Sequence, residues 1–165
     1  ILRREEQLMR IGFGYDVHAL VPDRALWLGG IKIEHTLGLQ GHSDADVLIH
    51  AICDALLGAA NMRDIGYHFP DTAGAYKDID SKILLRDTLK LLREKGYELG
   101  NIDATVCAEQ PKLKNHIPTM QQTLAEVMAV DPDDISIKAT TSEKLGFTGR
   151  QEGISAYATV LITKN

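Results

Sequence analysis

The sequence has little cysteine and no excess of basic residues. Its 165 residues include only two cysteines, Cys53 and Cys107, which have no motif spacing and lie in apolar stretches. The scarcity excludes a disulfide-rich scaffold and a cysteine zinc finger, and we expect two buried free thiols in a reducing compartment. Lys and Arg number 18 against 23 Asp and Glu, a formal net charge of −5. This balance argues against a protein that binds nucleic acid through a basic field.

Long hydrophobic runs are also missing. No stretch approaches the roughly 20 apolar residues that cross a bilayer, so we expect no membrane partner. The N-terminus lacks the apolar segment of a secretory signal. We therefore expect a cytoplasmic protein, or a plastid protein if the source is a plant or alga. Hydrophobic residues make up 44% and charged residues 25%, as in ordinary globular domains. We expect one domain over residues 9–165, after a leader or cloning remnant at residues 1–8.

The first regular pattern is a strand. Over residues 10–18, apolar side chains alternate with small or polar ones, which predicts a strand with one face toward the core. Asp16 and His18 then lie together on the opposite face. The side chains expected to face the core are Ile11, Phe13, Tyr15 and Val17.

A mixture of helices and strands follows. Ser43, with Asp46 three residues later, matches a capping signature and predicts the start of a helix. Further patterns predict a hairpin over 25–33, helices over 81–95 and 118–128, and strands over 102–108, 135–139 and 153–163. The fold class is therefore an α/β (α+β) single domain, a mixed β-sheet with helices packed on one face.

Three residues suggest a metal site. Asp16 and His18 leave one face of the strand, and His50 lies on the Ser43 helix away from its apolar stripe. A carboxylate and two imidazoles suit a divalent ion such as Zn²⁺. Asp46 and Asp54, four residues before and after His50, are candidates to orient its ring. The Asp-x-His pair alone equally fits two solvated surface groups.

Three other segments carry polar groups suited to an anionic substrate. His42 and Ser43 precede a helix, where free amides favour phosphate, although an ordinary capping turn explains them as well. The Asp, Gly and Pro residues of the long loop 61–80 suit a sugar diol or simply turns. Residues 138–150 bring hydroxyls, Glu143 and Arg150 to the end of a strand, where Glu143 suits a hard cation.

These stretches together resemble the 2-C-methyl-D-erythritol 2,4-cyclodiphosphate synthases of the non-mevalonate isoprenoid pathway. The resemblance runs in order from about residue 9 to the last strand. Six motifs carry it, at residues 14–18, 41–50, 54–58, 64–72, 108–112 and 138–150. It implies that the 2-phosphate of 4-diphosphocytidyl-2-C-methyl-D-erythritol 2-phosphate attacks the β-phosphorus, releasing CMP and a cyclic diphosphate.

The resemblance also implies roles for individual residues. Asp16, His18 and His50 would hold Zn²⁺, and Glu143 would help to hold Mg²⁺ or Mn²⁺. His42 and Thr141 would steady the transferring phosphoryl group as catalytic residues. The full substrate-binding set would be Asp16, Val17, His18, His42, Ser43, Asp64, Ile65, Gly66, Phe69, Pro70, Asp71, Thr72, Ala73, Ala108, Glu109, Gln110, Pro111, Lys112, Leu113, Lys114, Ala139, Thr140, Thr141, Ser142, Glu143, Phe147 and Arg150.

Family members are homotrimers with active sites between subunits, so the resemblance implies the same assembly here. Phe147, Arg150 and Glu152, with Tyr15, match positions near the threefold axis, where an isoprenoid diphosphate can bind. Two rival functions use the same residues differently. One is a zinc-dependent phosphatase or phosphodiesterase, and the other is a binding module with a structural zinc. Glu143 beside Thr140 and Thr141 argues against the second rival, because a structural zinc does not need them.

Overall fold

A five-stranded mixed sheet forms the centre of the structure, a computed structural model that describes residues 9–72 and 74–164. The strands are β1 Met9–Val21, β2 Leu26–Leu28, β3 Ile31–Ile33, β4 Gly38–Leu39, β5 Tyr97–Cys107, β6 Ile135–Thr140 and β7 Gly153–Lys164. Their order in the sheet is β4-β1-β7-β5-β6, and within the described residues β5 and β6 form its one parallel pair. A separate hairpin of β2 and β3 lies outside this sheet.

Three long helices cover one face of the sheet. They are α1 Val47–Ala59, α3 Ser81–Glu94 and α4 Ile117–Met128. Helix α1 packs on β1 and β7, α4 packs on β6, and α3 lies against both helices. Two one-turn helices, α2 Ile65–His68 and α5 Gly146–Gly149, sit in loops. The single-domain α+β fold with a mixed sheet is confirmed, whereas the leader expected at residues 1–8 lies outside the described residues.

The face of β1 that meets the helices is the opposite of the predicted one. Ile11 and Phe13 are 76% and 64% exposed, while Gly12 and Gly14 lie against α1. The prediction that Ile11, Phe13, Tyr15 and Val17 face the core is therefore wrong. The observed orientation of β1 is explained by the close approach of α1. The backbone of the helix lies so near the strand that only glycine fits beneath it, and the larger side chains point to the open face.

The start of α1 also differs from the prediction. The helix begins at Val47 and its N-cap is Asp46, not Ser43. The carboxylate of Asp46 accepts hydrogen bonds from the backbone N–H groups of Ile49, Gly29 and Gly30, at 3.1, 3.0 and 2.7 Å. A fully buried carboxylate with three N–H donors satisfies more of the backbone than a serine hydroxyl can, which explains why the start moves to Asp46.

The remaining sequence expectations are closer to the structure. Both cysteines are free, with Cys53 buried and Cys107 half-buried. The predicted hairpin, α3 and α4 are present, and α4 carries proline in its first turn. None of the helices in residues 9–72 and 74–164 combines the length and apolar character needed to cross a bilayer.

The glycines of β1 provide the first testable prediction. A methyl group on Gly14 would overlap the carbonyl oxygen of Ala51 and lie 2.7 Å from the nitrogen of Ala55. Because these are backbone atoms, Gly14→Ala should lower the free energy of unfolding by about 3 kcal/mol or more, at the upper end of overpacking costs. Urea unfolding of the metal-free protein measures the change.

Gly58→Ala is the matched control. This glycine lies inside α1, and a methyl group there would meet no atom within 4 Å. It should stabilise the protein by roughly 0.5–1 kcal/mol, the helix-interior difference between alanine and glycine. Equal effects of the two substitutions would contradict the close-packing explanation.

Candidate metal centre and substrate cavity

Asp16, His18 and His50 converge at the end of β1 nearest α1. Oδ2 of Asp16 lies 2.9 Å from Nε2 of His18 and 3.1 Å from Nδ1 of His50. The two imidazole nitrogens are 3.3 Å apart. Asp16 and His18 share the strand face of Gly12 and Gly14, so the approach of α1 also brings His50 over them.

This donor set fits a tetrahedral metal ion. Bonds of about 2.0–2.1 Å to a tetrahedral Zn²⁺ would place ligand atoms roughly 3.3 Å from one another. The observed separations are close to that value, with the carboxylate slightly nearer to the rings. Nδ1 of His18 donates to the carbonyl oxygen of Gln40 at 2.7 Å. In the neutral ring this bond leaves the lone pair on Nε2, which faces Asp16 and His50.

The electrostatics at this point favour a cation. Burial alone would raise the pKa of the Asp16 carboxyl, but the hydrogen bonds and positive charge of the His18 and His50 rings, in their protonated forms, outweigh burial and lower that pKa to about 2. Burial alone would lower the pKa of His18, whereas the hydrogen bond and charge of Asp16 raise it. An ionised carboxylate is thus held beside two ring nitrogens, the environment that a divalent ion requires.

The carboxylates expected to orient His50 have other partners. Asp46 faces the hairpin and the start of α1, as described above. Oδ1 of Asp54 accepts from the N–H of Ile65 at 2.8 Å and so ties α1 to the long loop. Burial raises the pKa of Asp54, and the Ile65 N–H opposes part of that rise. Asp54 does line the same cavity as His50, but neither carboxylate has a hydrogen bond with the His50 ring among the described residues.

A cavity of about 270 Å³ opens beside the three ligands. His42 contributes a ring whose Nε2 is buried and has no hydrogen-bond partner among the described residues. The guanidinium of Arg24 donates to the carbonyl oxygens of Gly41 and Ser43, at 3.2 and 2.8 Å, and fixes the backbone on both sides of His42. The backbone that carries this unpartnered ring nitrogen is therefore fixed at the cavity wall.

Several predicted substrate residues line this cavity, and others do not. Those that line it are Asp16, His18, His42, Ser43, Ile65, Gly66, Phe69 and Asp71, together with the ligand His50. Val17 lies on the opposite face of β1 and is 41% exposed. The Asp64 carboxylate caps α2 through the N–H of Tyr67 at 2.9 Å. Pro70 and Thr72 are exposed beside the cavity, and Ala73 lies outside the described residues.

The predicted substrate residues in segments 108–114 and 139–141 form a second, separate cavity of about 160 Å³. Its lining residues are Ala108, Pro111, Lys112, Leu113, Lys114, Ala139, Thr140 and Thr141. Glu109 and Gln110 belong to the same loop, and one carboxylate oxygen of Glu109 is buried without a partner in the described part of the chain. The hydroxyl of Thr141 donates to Glu143 at 3.0 Å, next to Ser142.

Phe147 and Arg150 line neither cavity. Phe147 packs near Gly153 at the start of β7. Arg150 pairs with Glu152 through a 2.6 Å contact between Nε and Oε1. Sequence reasoning missed Arg24, Asp44 and Ser81, which hold the two sides of the metal cavity. No sequence pattern indicates that Ser81 contacts His50, 31 positions earlier in the chain.

Comparisons with known proteins agree with the resemblance. The family model described as the YgbB family matches residues 9–163. The 2-C-methyl-D-erythritol 2,4-cyclodiphosphate synthase of Parabacteroides distasonis is 86% identical over 156 residues, which cover 94% of this chain and 97% of that protein.

The chain is also similar in sequence and fold to solved structures of IspDF and IspF proteins. The bifunctional IspDF of Campylobacter jejuni has 44% identity and a TM-score of 0.92, over 95% of this chain and 42% of that one. The CDP complex of IspF from Plasmodium falciparum has 35% identity and a TM-score of 0.85, over 98% of this chain and 99% of that one.

Loss of a ligand tests the metal centre. His50→Ala should weaken Zn²⁺ binding by more than the roughly 100-fold upper range for outer-shell partners, because it removes a direct donor. Titration calorimetry on chelator-treated protein measures the affinity. His116→Ala is the control, since His116 precedes α4 and its side chain makes no capping hydrogen bond. Equal affinities in the two variants would refute the assignment of His50.

Proposed function

The chain belongs to the YgbB family, and on that premise we infer that it catalyses the reaction for which its relatives are named. It is a lyase of isoprenoid biosynthesis that forms 2-C-methyl-D-erythritol 2,4-cyclodiphosphate. An oxygen of the substrate's 2-phosphate forms a bond to the β-phosphorus of 4-diphosphocytidyl-2-C-methyl-D-erythritol 2-phosphate. The bond from that phosphorus to the bridging oxygen breaks, and CMP leaves with the oxygen.

The observation that carries this proposal is the metal donor set at the wall of the 270 Å³ cavity. The proposed ligands of Zn²⁺ are Asp16, His18 and His50, and an ion with three protein ligands would keep a position for a phosphate oxygen. When bound, such an ion neutralises phosphate charge and polarises the phosphorus that is attacked. A chain of net charge −5 needs this help to bind a substrate with several phosphate charges.

The residues around the ligands would position the substrate. We assign His42 to the transferring phosphoryl group, because the residue lines the cavity and its buried Nε2 has no hydrogen-bond partner among the described residues. Ser43 and the loop that carries Phe69 would enclose the methylerythritol phosphate. Ring closure within one molecule depends mainly on orientation, so fixed geometry accounts for much of the rate and no protein nucleophile is needed.

The second cavity would bind the cytidine and the diphosphate. Thr141 and Glu143 are already joined by a hydrogen bond, and Glu143 is exposed at the strand end. We propose that Glu143 helps to hold Mg²⁺ or Mn²⁺ on the diphosphate and that Thr141 contacts the transferring phosphoryl group. Asp64 and Gly66 are the proposed ribose contacts. The loop from Ala108 to Lys114 would enclose the base.

One diphosphate must reach both cavities, yet within one chain they are apart. The two cavities share no lining residue. Their strands, β1 and β6, are separated by β7 and β5 in the sheet, a distance of roughly 14 Å at normal strand spacing. The arrangement supports an active site composed of the metal half of one subunit and the cytidine half of another.

The open face of the sheet supports the proposed homotrimer. It exposes a contiguous row of apolar side chains along β1, and the ring centroid of Tyr157 on β7 lies 5.1 Å from that of Tyr15, with the two rings tilted by 50°. Such a patch is unusual on a monomer and typical of a subunit interface. The exposed members are Met9, Ile11, Phe13, Tyr15, Val17 and Tyr157.

We propose that Phe147 and Arg150 lie near the threefold axis, where an isoprenoid diphosphate would bind. The hydrolase alternative is not favoured, because the chain's relatives are named as synthases of the cyclic product.

The reaction is tested by a ³¹P NMR time course. The purified protein, with 4-diphosphocytidyl-2-C-methyl-D-erythritol 2-phosphate, Zn²⁺ and Mg²⁺, should produce CMP and a cyclic diphosphate in equal amounts. A chelator should stop both products together, since the cations carry the charge compensation. Release of inorganic phosphate instead would establish the hydrolase alternative.

Shared active sites are tested by complementation. His50→Ala disables the metal half and Glu143→Ala the cytidine half, so each variant alone should be inactive. Coexpressed chains should recover about a quarter of the wild-type activity, since random assembly into closed rings pairs two intact halves at that frequency.

Mixing the separately purified homo-oligomers without subunit exchange is the control and should give no activity. If coexpressed chains stay inactive although native mass spectrometry shows mixed trimers, each site belongs to one chain.

A further inference from the structure

The imidazole of His50 uses both of its ring nitrogens. Nδ1 faces Asp16 and His18, on the metal side. Nε2 points the other way, 2.9 Å from the hydroxyl oxygen of Ser81 and 3.3 Å from that of Ser43. Ser81 is the first residue of α3 and is fully buried. The metal ligand on α1 is thus in direct contact with the start of another helix.

The direction of the hydrogen bond at Ser81 follows from its second partner. The hydroxyl of Ser81 lies 2.5 Å from Oδ1 of Asp44 and donates its only proton to that oxygen. The serine oxygen must then accept from His50, which requires the ring proton on Nε2. The lone pair is left on Nδ1, the nitrogen that faces Asp16 and His18.

Asp44 is itself held firmly. Its Oδ2 accepts from the N–H of Ser81 at 3.0 Å, and its Oδ1 accepts from the N–H of Asp46 at 3.1 Å. Its own N–H donates to the carbonyl oxygen of Ile79 at 3.2 Å. The carboxylate is therefore fixed in orientation by backbone on both sides, and so is the hydroxyl that it binds.

We propose that Asp44 and Ser81 are positioning residues for the metal centre. Acting through His50, they select the tautomer that presents Nδ1 to the ion and set the angle of the ring. This inference rests on the metal site in the proposed function. It assigns to Asp44 and Ser81 the orienting role that sequence spacing had suggested for Asp46 and Asp54.

A purely structural role does not account for this arrangement. The N-cap of α3 is Asp80, whose carboxylate accepts from the N–H of Lys82 at 2.9 Å. The helix start is therefore capped without the Ser81 hydroxyl. That hydroxyl instead lies between a carboxylate and a metal-ligand imidazole, a position in which outer-shell groups raise ligand basicity and fix geometry.

The same contacts tie the metal centre to the substrate loop. The segment from Ile79 to Ser81 is the point at which the long loop returns to the fold, and Asp44 binds both of its ends. The loop's last residues and the ring of His50 consequently share one anchor. Substitutions at Ser81 should therefore affect metal affinity even though residue 81 does not touch the ion.

The decisive variant is Ser81→Ala, compared with Asp80→Asn as a control at the same helix start. Zn²⁺ affinity is measured on chelator-treated protein by competition with a chromophoric chelator. Ser81→Ala should bind Zn²⁺ 10–100-fold more weakly, the usual effect of losing an outer-shell partner. Asp80→Asn should bind as the wild type does. Ser81→Thr, which keeps a hydroxyl, should recover most of the affinity.

The tautomer provides a second readout, independent of activity. In long-range ¹H–¹⁵N NMR spectra of the metal-free wild type, above the pH at which histidine protonates, His50 should carry its proton on Nε2. Ser81→Ala should shift His50 toward a mixture of tautomers. A wild-type ring with its proton on Nδ1 would overturn the inference, even if Ser81→Ala failed to fold.

The outcomes separate the two proposals. If the wild type itself does not bind Zn²⁺, the metal site of the proposed function fails. If the wild type binds and Ser81→Ala binds equally well, only the positioning role fails.

Discussion

The contact between α1 and the glycines of β1 determines the rest of the structure. Gly12 and Gly14 let the backbone of the helix lie directly on the strand, where any side chain would overlap the carbonyl oxygens of Ala51 and Ala55. This approach places His50 within hydrogen-bond distance of Asp16. It also turns the larger side chains of β1 outward. One steric constraint thus creates both the candidate metal centre and the exposed apolar face.

The candidate metal centre and the exposed apolar face differ in whether one chain is enough to form them. The candidate metal centre lies within one chain, and its contacts reach from β1 through α1 to the first residue of α3. In a single chain, by contrast, the apolar face is exposed to solvent and the second cavity is separate from the first. The proposed assembly resolves both, because it covers the apolar side chains and brings a cytidine half to each metal half.

The sequence predicted the elements well and their orientation poorly. Periodicity located α3, α4 and the long strands, and ordered motifs pointed to Asp16, His18 and His50, which the structure brings together as candidate metal ligands. Alternation in β1 could not show which face meets a helix. Glycine in an alternating strand is compatible with a solvent-exposed face, but it also allows the backbone of a helix to pack directly on the strand, as α1 does. Spacing on α1 likewise could not reveal Ser81, whose contact with His50 exists only after α3 has packed. Arg24 was missed for the same reason, since its partners are backbone carbonyl groups.

The buried carboxylate of Asp46 joins two pieces of backbone that are distant in sequence. It accepts from Gly29 and Gly30 in the hairpin turn and from Ile49 in the first turn of α1. Neither piece can separate from the other without leaving a buried carboxylate or buried amides unsatisfied. The hairpin therefore belongs to the same cooperative unit as α1, although it is outside the main sheet. Its turn amides should exchange with solvent as slowly as those at the start of the helix, as one opening unit.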